Sequence, residues 1–356
     1  MGLESARNYW RGVGAAVAQD NTPWPGEPYR TPLLVRLLWG MDDAVDLSAM
    51  PPVAHGRVVP ECVDVGEVQA RVRSGALPVG QKVQLLVSTP QGRRPRAATE
   101  CHLLSGPLPE GSLVWADDGL LAPTPELTFV LMGRVLGEAE LAAYGCELCG
   151  FYALDGSGPL GFASCPQLTS VSRLSEYLAR LDELRERDGA GRPWGLARAQ
   201  RALAHVLDRA ASPAEAQVAL LLSLPARMGG YGLPKPELNG HVELDEELAR
   251  TAGAPTLVCD LVWAARRSVL EYAGSVHKAA DRVAHDRRKA NVLQAAGYDV
   301  IEMGSEELMG REAMDAVADT VARSLGASGA TRDQDFFDRQ LKLRRALLPG
   351  PWRAPV

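Results

Sequence analysis

The chain has 356 residues, more than the roughly 100–200 residues of one domain, so we expect two or more domains. Hydrophobic residues make up 46% of the chain and charged residues 23%, a balance that excludes a disordered or fibrous protein. The formal net charge of −6 gives no overall attraction to nucleic acid, so any such contact must come from local basic residues.

The sequence shows neither a membrane span nor a secretion signal. No apolar run approaches the ~20 residues that cross a bilayer. Glu4, Arg7 and Arg11 occupy the stretch where a signal peptide would be apolar. Six cysteines in the whole chain are too sparse for a disulfide scaffold. We therefore expect a cytoplasmic protein with reduced thiols.

The region 1–165 alternates turn-rich segments with short apolar runs, and we expect a mixed α/β structure. Thr124 followed by Pro125 predicts a capped helix that runs to about Ala143. The apolar runs predict strands at Val83–Val87, Cys101–Leu104 and Ser112–Trp115.

The region 166–211 carries apolar residues at helical spacing. Two helices are predicted, at Ser172–Arg187 and Trp194–Ala211, with a turn rich in Gly and Pro between them. We interpret this region as a helical connector.

A new domain is predicted to begin at Ser212, in the sequence Ser212-Pro-Ala-Glu215. Ser caps a helix that runs to Met228, Pro follows at its first position, and Glu stands at the capping-box position. Further strands are predicted at His241–Leu244, Leu257–Trp263, Val269–Tyr272 and Asp299–Met303, and further helices at Ala279–Ala296 and Glu306–Leu325. The order over 212–328 is thus α-β-β-β-α-β-α.

The tail, 329–356, has six Lys or Arg against three Asp and is locally basic. Its apolar residues predict one amphipathic helix. If Phe336, Phe337 and Leu341 anchor this helix, we expect them to be buried against the rest of the chain or a second copy. Otherwise the tail is a basic arm that could contact nucleic acid. The N-terminal region is the other candidate surface for a protein partner.

The second and third predicted strands of this domain carry an acidic pair. Joined as an antiparallel hairpin, they would place Asp260 directly opposite Glu271, where like charges are destabilising. A divalent cation, Mg²⁺ or Mn²⁺, would offset the repulsion. Alternatively a basic side chain supplies the counter-charge, and the candidates are Arg266, Arg282 and Lys289. The hairpin alone leaves both explanations open.

Several spaced residues around this hairpin carry a family resemblance. They are Cys259-Asp260, Glu271-Tyr-Ala-Gly274, His277, Asp286-Arg-Arg, Leu293 and Ala296-Gly-Tyr-Asp-Val300. Their order resembles the endonuclease-like domain related to very-short-patch-repair endonucleases, within the PD-(D/E)XK fold. The resemblance implies a restriction-endonuclease-like α/β domain and metal-dependent hydrolysis of DNA or RNA. Phage defence or DNA repair would be its setting.

The resemblance also implies roles for single residues. Asp260 and Glu271 would hold the metal ion, and His277 or a nearby lysine such as Lys289 would position the attacking water. Asp286 would orient His277, or else pair with an arginine that stabilises the fold.

A helix-borne glutamate contributes to the metal site in this family, and Glu215 is similar to it. The structural alternative is that Glu215 only completes the capping box with Ser212.

Ala273 departs from the family pattern. It stands where the family has a second acid and where PD-(D/E)XK enzymes carry a lysine. Residues 271 and 273 share a strand face, so a gap beside Glu271 is expected unless Lys278, Lys289 or His277 reaches into it. This departure supports a second hypothesis, a catalytically inactive domain that acts as a regulatory or binding module, analogous to an antitoxin.

The helix after the hairpin is predicted to be basic, which suits a nucleic-acid backbone. The region 212–328 nevertheless holds 12 Lys or Arg against 17 Asp or Glu, so the basic character is only local. The basic residues of this helix and its approach are Lys278, Arg282, Arg287, Arg288 and Lys289.

Two patterns in the first half stand apart. Cys146, Cys149 and Cys165 could be three zinc ligands, but a packed helix end is the preferred interpretation because a structural zinc site needs four ligands. The stretch from Pro123-Thr-Pro-Glu to Glu147-Leu-Cys-Gly150 resembles the middle region of actinobacterial proteins with such an endonuclease-like domain behind an abortive-infection antitoxin-like region.

Overall fold

The computed structural model describes residues 2–19, 70, 82–93, 99–117, 120–155, 160–273 and 280–348. The chain divides into two compact units, Met1–Val206 and Leu207–Val356. Both units mix helices and strands, so the predicted mixed α/β class is confirmed. No helix in the described part of the chain is long and apolar enough to cross a membrane.

The N-terminal unit pairs its described strands two by two. Strands β1 and β2 are parallel, whereas β3 with β4 and β5 with β6 are antiparallel. The strands are β1 (Val83–Val87), β2 (Thr99–Leu103), β3 (Leu113–Asp117), β4 (Leu120–Pro123), β5 (Tyr152–Leu154) and β6 (Phe162–Ser164). The helices are α1 (Leu3–Gln19), α2 (Pro125–Met132), α3 (Glu138–Leu148), α4 (Val171–Arg187) and α5 (Leu196–Leu203).

The prediction of one helix from Pro125 to Ala143 is wrong in one respect, because the structure has two helices there, α2 and α3. Its start is confirmed, since the Thr124 side chain accepts a hydrogen bond from the Leu127 N–H at 3.4 Å. The chain turns at Gly133, where a Cβ atom would lie 2.6 Å from the Gly195 carbonyl oxygen. Arg198 then donates to the carbonyls of Gly133 and Leu136 at the broken end. These contacts come from α5, so local sequence could not reveal them.

The helix predicted at Trp194–Ala211 is also shorter than expected. It begins after Gly195, whose φ of +115° is accessible chiefly to glycine, and it ends at Leu203. The chain then passes from one unit to the next between Val206 and Leu207.

The C-terminal unit is built on a four-stranded sheet with the order β10-β9-β8-β7. Neighbouring strands are antiparallel except for β9 and β10, which are parallel and joined by a helix. The strands are β7 (Glu237–Glu243), β8 (Thr256–Trp263), β9 (Ser268–Ala273) and β10 (Asp299–Gly304). The helices are α6 (Pro213–Ser223), α7 (Glu246–Ala252), α8 (Ala280–Ala295), α9 (Ser305–Met309), α10 (Arg311–Leu325) and α11 (Gln334–Leu347).

Each strand predicted for this unit is present, although β7 begins earlier than expected. Three helical details differ from the prediction. Helix α6 ends at Ser223 instead of Met228, a short helix, α7, separates β7 from β8, and the last predicted helix is split at Gly310 into α9 and α10. The buried residues that hold α8 against the sheet include Val242, Cys259, Val262, Val269 and Leu293.

The tail forms the amphipathic helix α11, but not all of its predicted anchors are buried. Phe336 is fully buried at 0% exposure, and Phe337 is half-buried. The prediction for Leu341 is wrong, since 44% of it is exposed. Leu343 and Leu347 lie on the buried stripe instead, because they follow Phe336 at spacings of seven and eleven residues.

Candidate acidic site on the central strands

The register of β8 and β9 brings the predicted acidic pair together. Leu261 pairs with Leu270 and Val262 with Val269, which sets Asp260 opposite Glu271 at the next position. The prediction that these two acids lie on adjacent antiparallel strands is therefore confirmed.

The hydrogen-bonded ladder ends before the acidic pair, and the Asp260 side chain replaces a ladder bond there. Its Oδ2 atom accepts a hydrogen bond from the Tyr272 backbone N–H at 2.7 Å. This bond fixes the Asp260 carboxylate to the end of β9, the strand that also carries Glu271. A side chain held by a backbone donor has little rotational freedom, which pre-organises it for binding a ligand.

Lys289 of α8 fills the position beside Glu271. Its Nζ atom donates to Glu271 Oε2 at 2.7 Å, and the two side chains are only 18% and 23% exposed. Lys289 was predicted both as a counter-charge and as a group that could fill the gap left by Ala273, and its position fits both. We refer to Asp260, Glu271 and Lys289 as the acidic site.

The second carboxylate oxygen of Glu271 is unusual. Oε1 is buried, and no N–H or O–H group of the described residues donates to it. The Cys259 thiol hydrogen-bonds to the Glu271 carboxylate and lowers its pKa, but a thiol is a weak donor. An anionic oxygen left in this state is costly, so Oε1 is a natural ligand atom for a cation.

Glu215 lies close to the acidic site but is held by other groups. Its Oε1 accepts from the Ser212 hydroxyl at 2.8 Å, and its Oε2 accepts from the Ala211 N–H at 2.8 Å and from Asn239 Nδ2 at 2.7 Å. Three of the roughly four acceptor positions of a carboxylate are thus used. Ser212 caps the helix as predicted, since its hydroxyl oxygen accepts from the Glu215 N–H at 3.2 Å, but the Glu215 carboxylate accepts from the Ala211 N–H and the Ser212 hydroxyl instead of the Ser212 N–H of a capping box. A direct metal contact through Glu215 would compete with these bonds.

Asn239 was missed by the sequence analysis. The register of β7 and β8 sets it opposite Asp260, on the side away from Glu271. Its φ of +47° is a left-handed conformation that asparagine tolerates better than most residues, and its side chain donates to the Arg209 carbonyl and to Glu215. The predicted strand began at His241, whereas β7 begins at Glu237, so Asn239 lay outside the predicted strand.

The electrostatics of these acids are dominated by burial and mutual repulsion. Burial raises the pKa of Asp260, and the nearby Asp286 adds to this, against the Tyr272 hydrogen bond and Lys289. Burial and the charge of Asp260 raise the pKa of Glu271 in the same way, against Lys289. Glu215 follows this pattern, since burial and Asp260 raise its pKa.

The pKa of Lys289 is also raised, but by the neighbouring carboxylates and not by burial. Burial acts to lower the pKa of Lys289, but Glu271 and Asp260 outweigh it and raise the pKa overall. The lysine is therefore a charged ammonium group at neutral pH. One buried cation thus lies among several carboxyl groups whose pKa values are raised by burial and by one another.

The structure places the remaining predicted residues as follows. Asp286 is half-buried on α8, three positions before Lys289, and it is near enough to Asp260 to influence its pKa. His277 and Lys278 lie outside the described residues. Arg287 and Arg288 are exposed on α8.

No group of three or more His, Cys, Asp or Glu side chains that could hold a metal ion occurs among the described residues. Among the described residues, Asp260 and Glu271 are the acids of this site that could bind a cation, with water and substrate as further ligands. Mg²⁺ is commonly bound by one or two carboxylates in this way. The buried Oε1 of Glu271 fits such an ion.

The cysteines of the N-terminal unit are those of a packed helix end. Cys146 and Cys149 are fully buried at 0% exposure. Burial and the nearby Glu147 raise the pKa of Cys165 to about 12. None of the five cysteines that the structure describes is in a disulfide.

Comparisons with protein-family models, with curated proteins and with solved structures find no match for this chain.

Proposed function

We propose that the C-terminal unit is a divalent-cation-dependent nuclease domain of the PD-(D/E)XK kind, which hydrolyses phosphodiester bonds in DNA or RNA. One observation carries the proposal. Asp260, Glu271 and Lys289 meet at one end of the central strands, where Glu271 Oε1 is buried and receives no hydrogen bond from an N–H or O–H group of the described residues.

Each residue of the acidic site would have a separate role in hydrolysis. Asp260 and Glu271 would hold the ion, and Tyr272 keeps the Asp260 carboxylate in place. The ammonium group of Lys289 has three donors, of which one is directed to Glu271. The others can hold a phosphate oxygen or the attacking water. Bound Mg²⁺ or Mn²⁺ would supply Lewis-acid activation of the phosphoryl group and of that water.

Nucleic acid as the substrate is supported by the position of two further cations. Arg287 and Arg288 are exposed and lie on the same helix as Lys289. Exposed arginines on this helix form a local basic surface of the kind that pairs with phosphates. A role for His277 and Asp286 in positioning the water remains a prediction.

The proposal is tested by nuclease assays on single- and double-stranded DNA and RNA with Mg²⁺ or Mn²⁺. We expect metal-dependent cleavage that falls about 100-fold or more in Asp260→Asn and Glu271→Gln, because the ion supplies several kcal/mol of transition-state stabilisation. Glu243→Gln is the matched control, since Glu243 is an exposed acid of the same sheet. Cleavage that survives both substitutions would place the chemistry elsewhere.

A second candidate function is a nuclease-like module that binds a partner without cleaving it. Ala273 and the Lys289–Glu271 ion pair favour it, because the pair already supplies Glu271 with a counter-charge. Thermal unfolding with and without Mn²⁺ separates the two. An ion at 100 times its Kd stabilises the fold by about 2.7 kcal/mol, and this shift must vanish in Asp260→Asn if the acidic site binds it. No shift and no cleavage, including in Ala273→Asp and Ala273→Lys, would favour the binding module.

A further inference from the structure

The most exposed large hydrophobic residue of the described chain is Trp194, which lies in the loop between α4 and α5. It is 74% exposed, whereas tryptophan is usually well buried. Val135, on the turn between α2 and α3, is 50% exposed. An exposed indole held in a defined position is a common feature of recognition surfaces.

The position of Trp194 is fixed by its neighbours. The guanidinium carbon of Arg134 lies 5.1 Å from the centre of the Trp194 ring, a cation–π contact. The Arg134 Nη1 atom also donates to the Leu103 carbonyl at 3.4 Å. The turn at Gly133 and the loop at Gly195 are in close backbone contact, which ties the two segments together. One face of the indole is thus covered by Arg134, and most of its surface remains open.

A second arginine, Arg93, lies close to Arg134. Arg93 is exposed, and it lies close enough to Arg134 to add to the effect of burial in lowering the Arg134 pKa. Burial lowers the pKa of His102, and Arg134 and Arg93 contribute in the same direction against Glu100 and Glu4. Two arginines are therefore grouped here despite their mutual repulsion, as in a site for an anionic partner.

We propose that the surface formed by Trp194, Arg134 and Arg93 binds single-stranded nucleic acid, with a base stacked on the open face of the indole and phosphates paired with the two guanidinium groups. An aromatic platform beside cations that follow a backbone is the arrangement that holds unpaired strands. An acidic protein segment would use the arginines but would not need the indole. The surface belongs to the N-terminal unit, so this proposal does not depend on cleavage by the acidic site.

The test is fluorescence anisotropy of labelled oligo(dT) with the full chain, in a chelator so that no cleavage occurs. Loss of one stacked base weakens binding about 5- to 150-fold, so we expect this range for Trp194→Ala and near-native binding for Trp194→Phe. Arg134→Gln and Arg93→Gln should each reduce the slope of log Kd against log salt by about 0.7. Thermal unfolding checks that each variant is folded.

Two controls match these substitutions. Leu160→Ala removes another exposed large hydrophobic residue of the same unit, since Leu160 is 59% exposed. Arg201→Gln removes an arginine whose charge is already paired with Glu138 at 2.8 Å. The proposal is overturned if the wild type does not bind at low salt, or if Trp194→Ala binds as well as Leu160→Ala. It is also overturned if polyglutamate displaces the strand as well as unlabelled oligo(dT), which would indicate an acidic protein partner.

Discussion

Replacing Lys289 by Met tests whether the acidic site is held together by charge. The substitution keeps most of the side-chain volume but removes the ammonium group that lies 2.7 Å from Glu271. Exposed ion pairs contribute about 0–1 kcal/mol, and breaking a fully buried one costs about 3–5 kcal/mol. Because these side chains are 18% and 23% exposed, we expect a loss of about 2 kcal/mol at neutral pH.

The loss should depend on pH in a defined direction. Burial raises the Glu271 pKa and Lys289 opposes this, so the pKa rises further once the lysine is removed. A carboxyl group whose folded-state pKa is raised imposes no penalty below its unfolded pKa, and the penalty grows as the pH rises through the folded value. The difference between Lys289→Met and wild type should therefore be small near pH 4 and open toward pH 7.

The pKa of Lys289 sets the upper end of the pH range over which the ion pair stabilises the fold. Its folded-state pKa is raised, so its stabilising effect is complete below the ordinary value of 10.5 and is lost only as the pH rises through the folded value. Urea-dependent hydrogen exchange of peptides from β8 and β9 measures the stability locally. A Glu271→Gln background should remove most of the effect of Lys289→Met. An equal loss at pH 4 and pH 8 would refute the reasoning, because it would indicate lost packing.

Two further predictions concern stability. Asp260→Asn should raise the free energy of unfolding at pH 7 by about 1 kcal/mol while it abolishes metal binding, since it removes a buried charge that repels Glu271 and Glu215. Unfolding by urea with and without Mn²⁺ checks both effects, and a destabilised variant would contradict the first. Phe336→Ala should cost about 3–5 kcal/mol because Phe336 is fully buried, and Leu341→Ala, on the exposed side of the same helix, should cost under about 1 kcal/mol by the same measurement. Equal losses would mean that α11 does not pack as described.

The fold of the C-terminal unit could be predicted where it depends on sequence patterns that span only a few residues. Alternation of apolar residues, the short turn between the strands and the cap at Ser212 each act over a few residues, so β8, β9 and the start of α6 could be placed from the sequence. The breaks at Gly133 and Gly310 were missed. At Gly133, the contacts that favour the break come from residues about 60 positions later in the chain, at Gly195 and Arg198.

In the acidic site too, contacts set by nearby residues could be predicted, whereas contacts set by distant residues could not. The position of Glu271 opposite Asp260 follows from the length of one turn, because a ladder of period two fixes every pair once one pair is known. Lys289 was one of several basic residues that could have reached Glu271, and only the packing of α8 on the sheet selects it. Asn239 could not be foreseen, since its role depends on a left-handed residue in β7 that lies beside Asp260 through register alone.

These differences bear on how Ala273 should be judged. In a strand, residues 271 and 273 point to the same face, so a lysine at 273 would stand beside Glu271. Lys289 reaches the same carboxylate from α8, at 2.7 Å, and so supplies a cation where the strand has none. If Lys289 has taken over this role, Ala273→Lys should restore part of the cleavage lost in Lys289→Met and should add little to the wild type. If Ala273→Lys instead activates a wild type that does not cleave, the ion pair is structural and the unit has lost its catalytic cation.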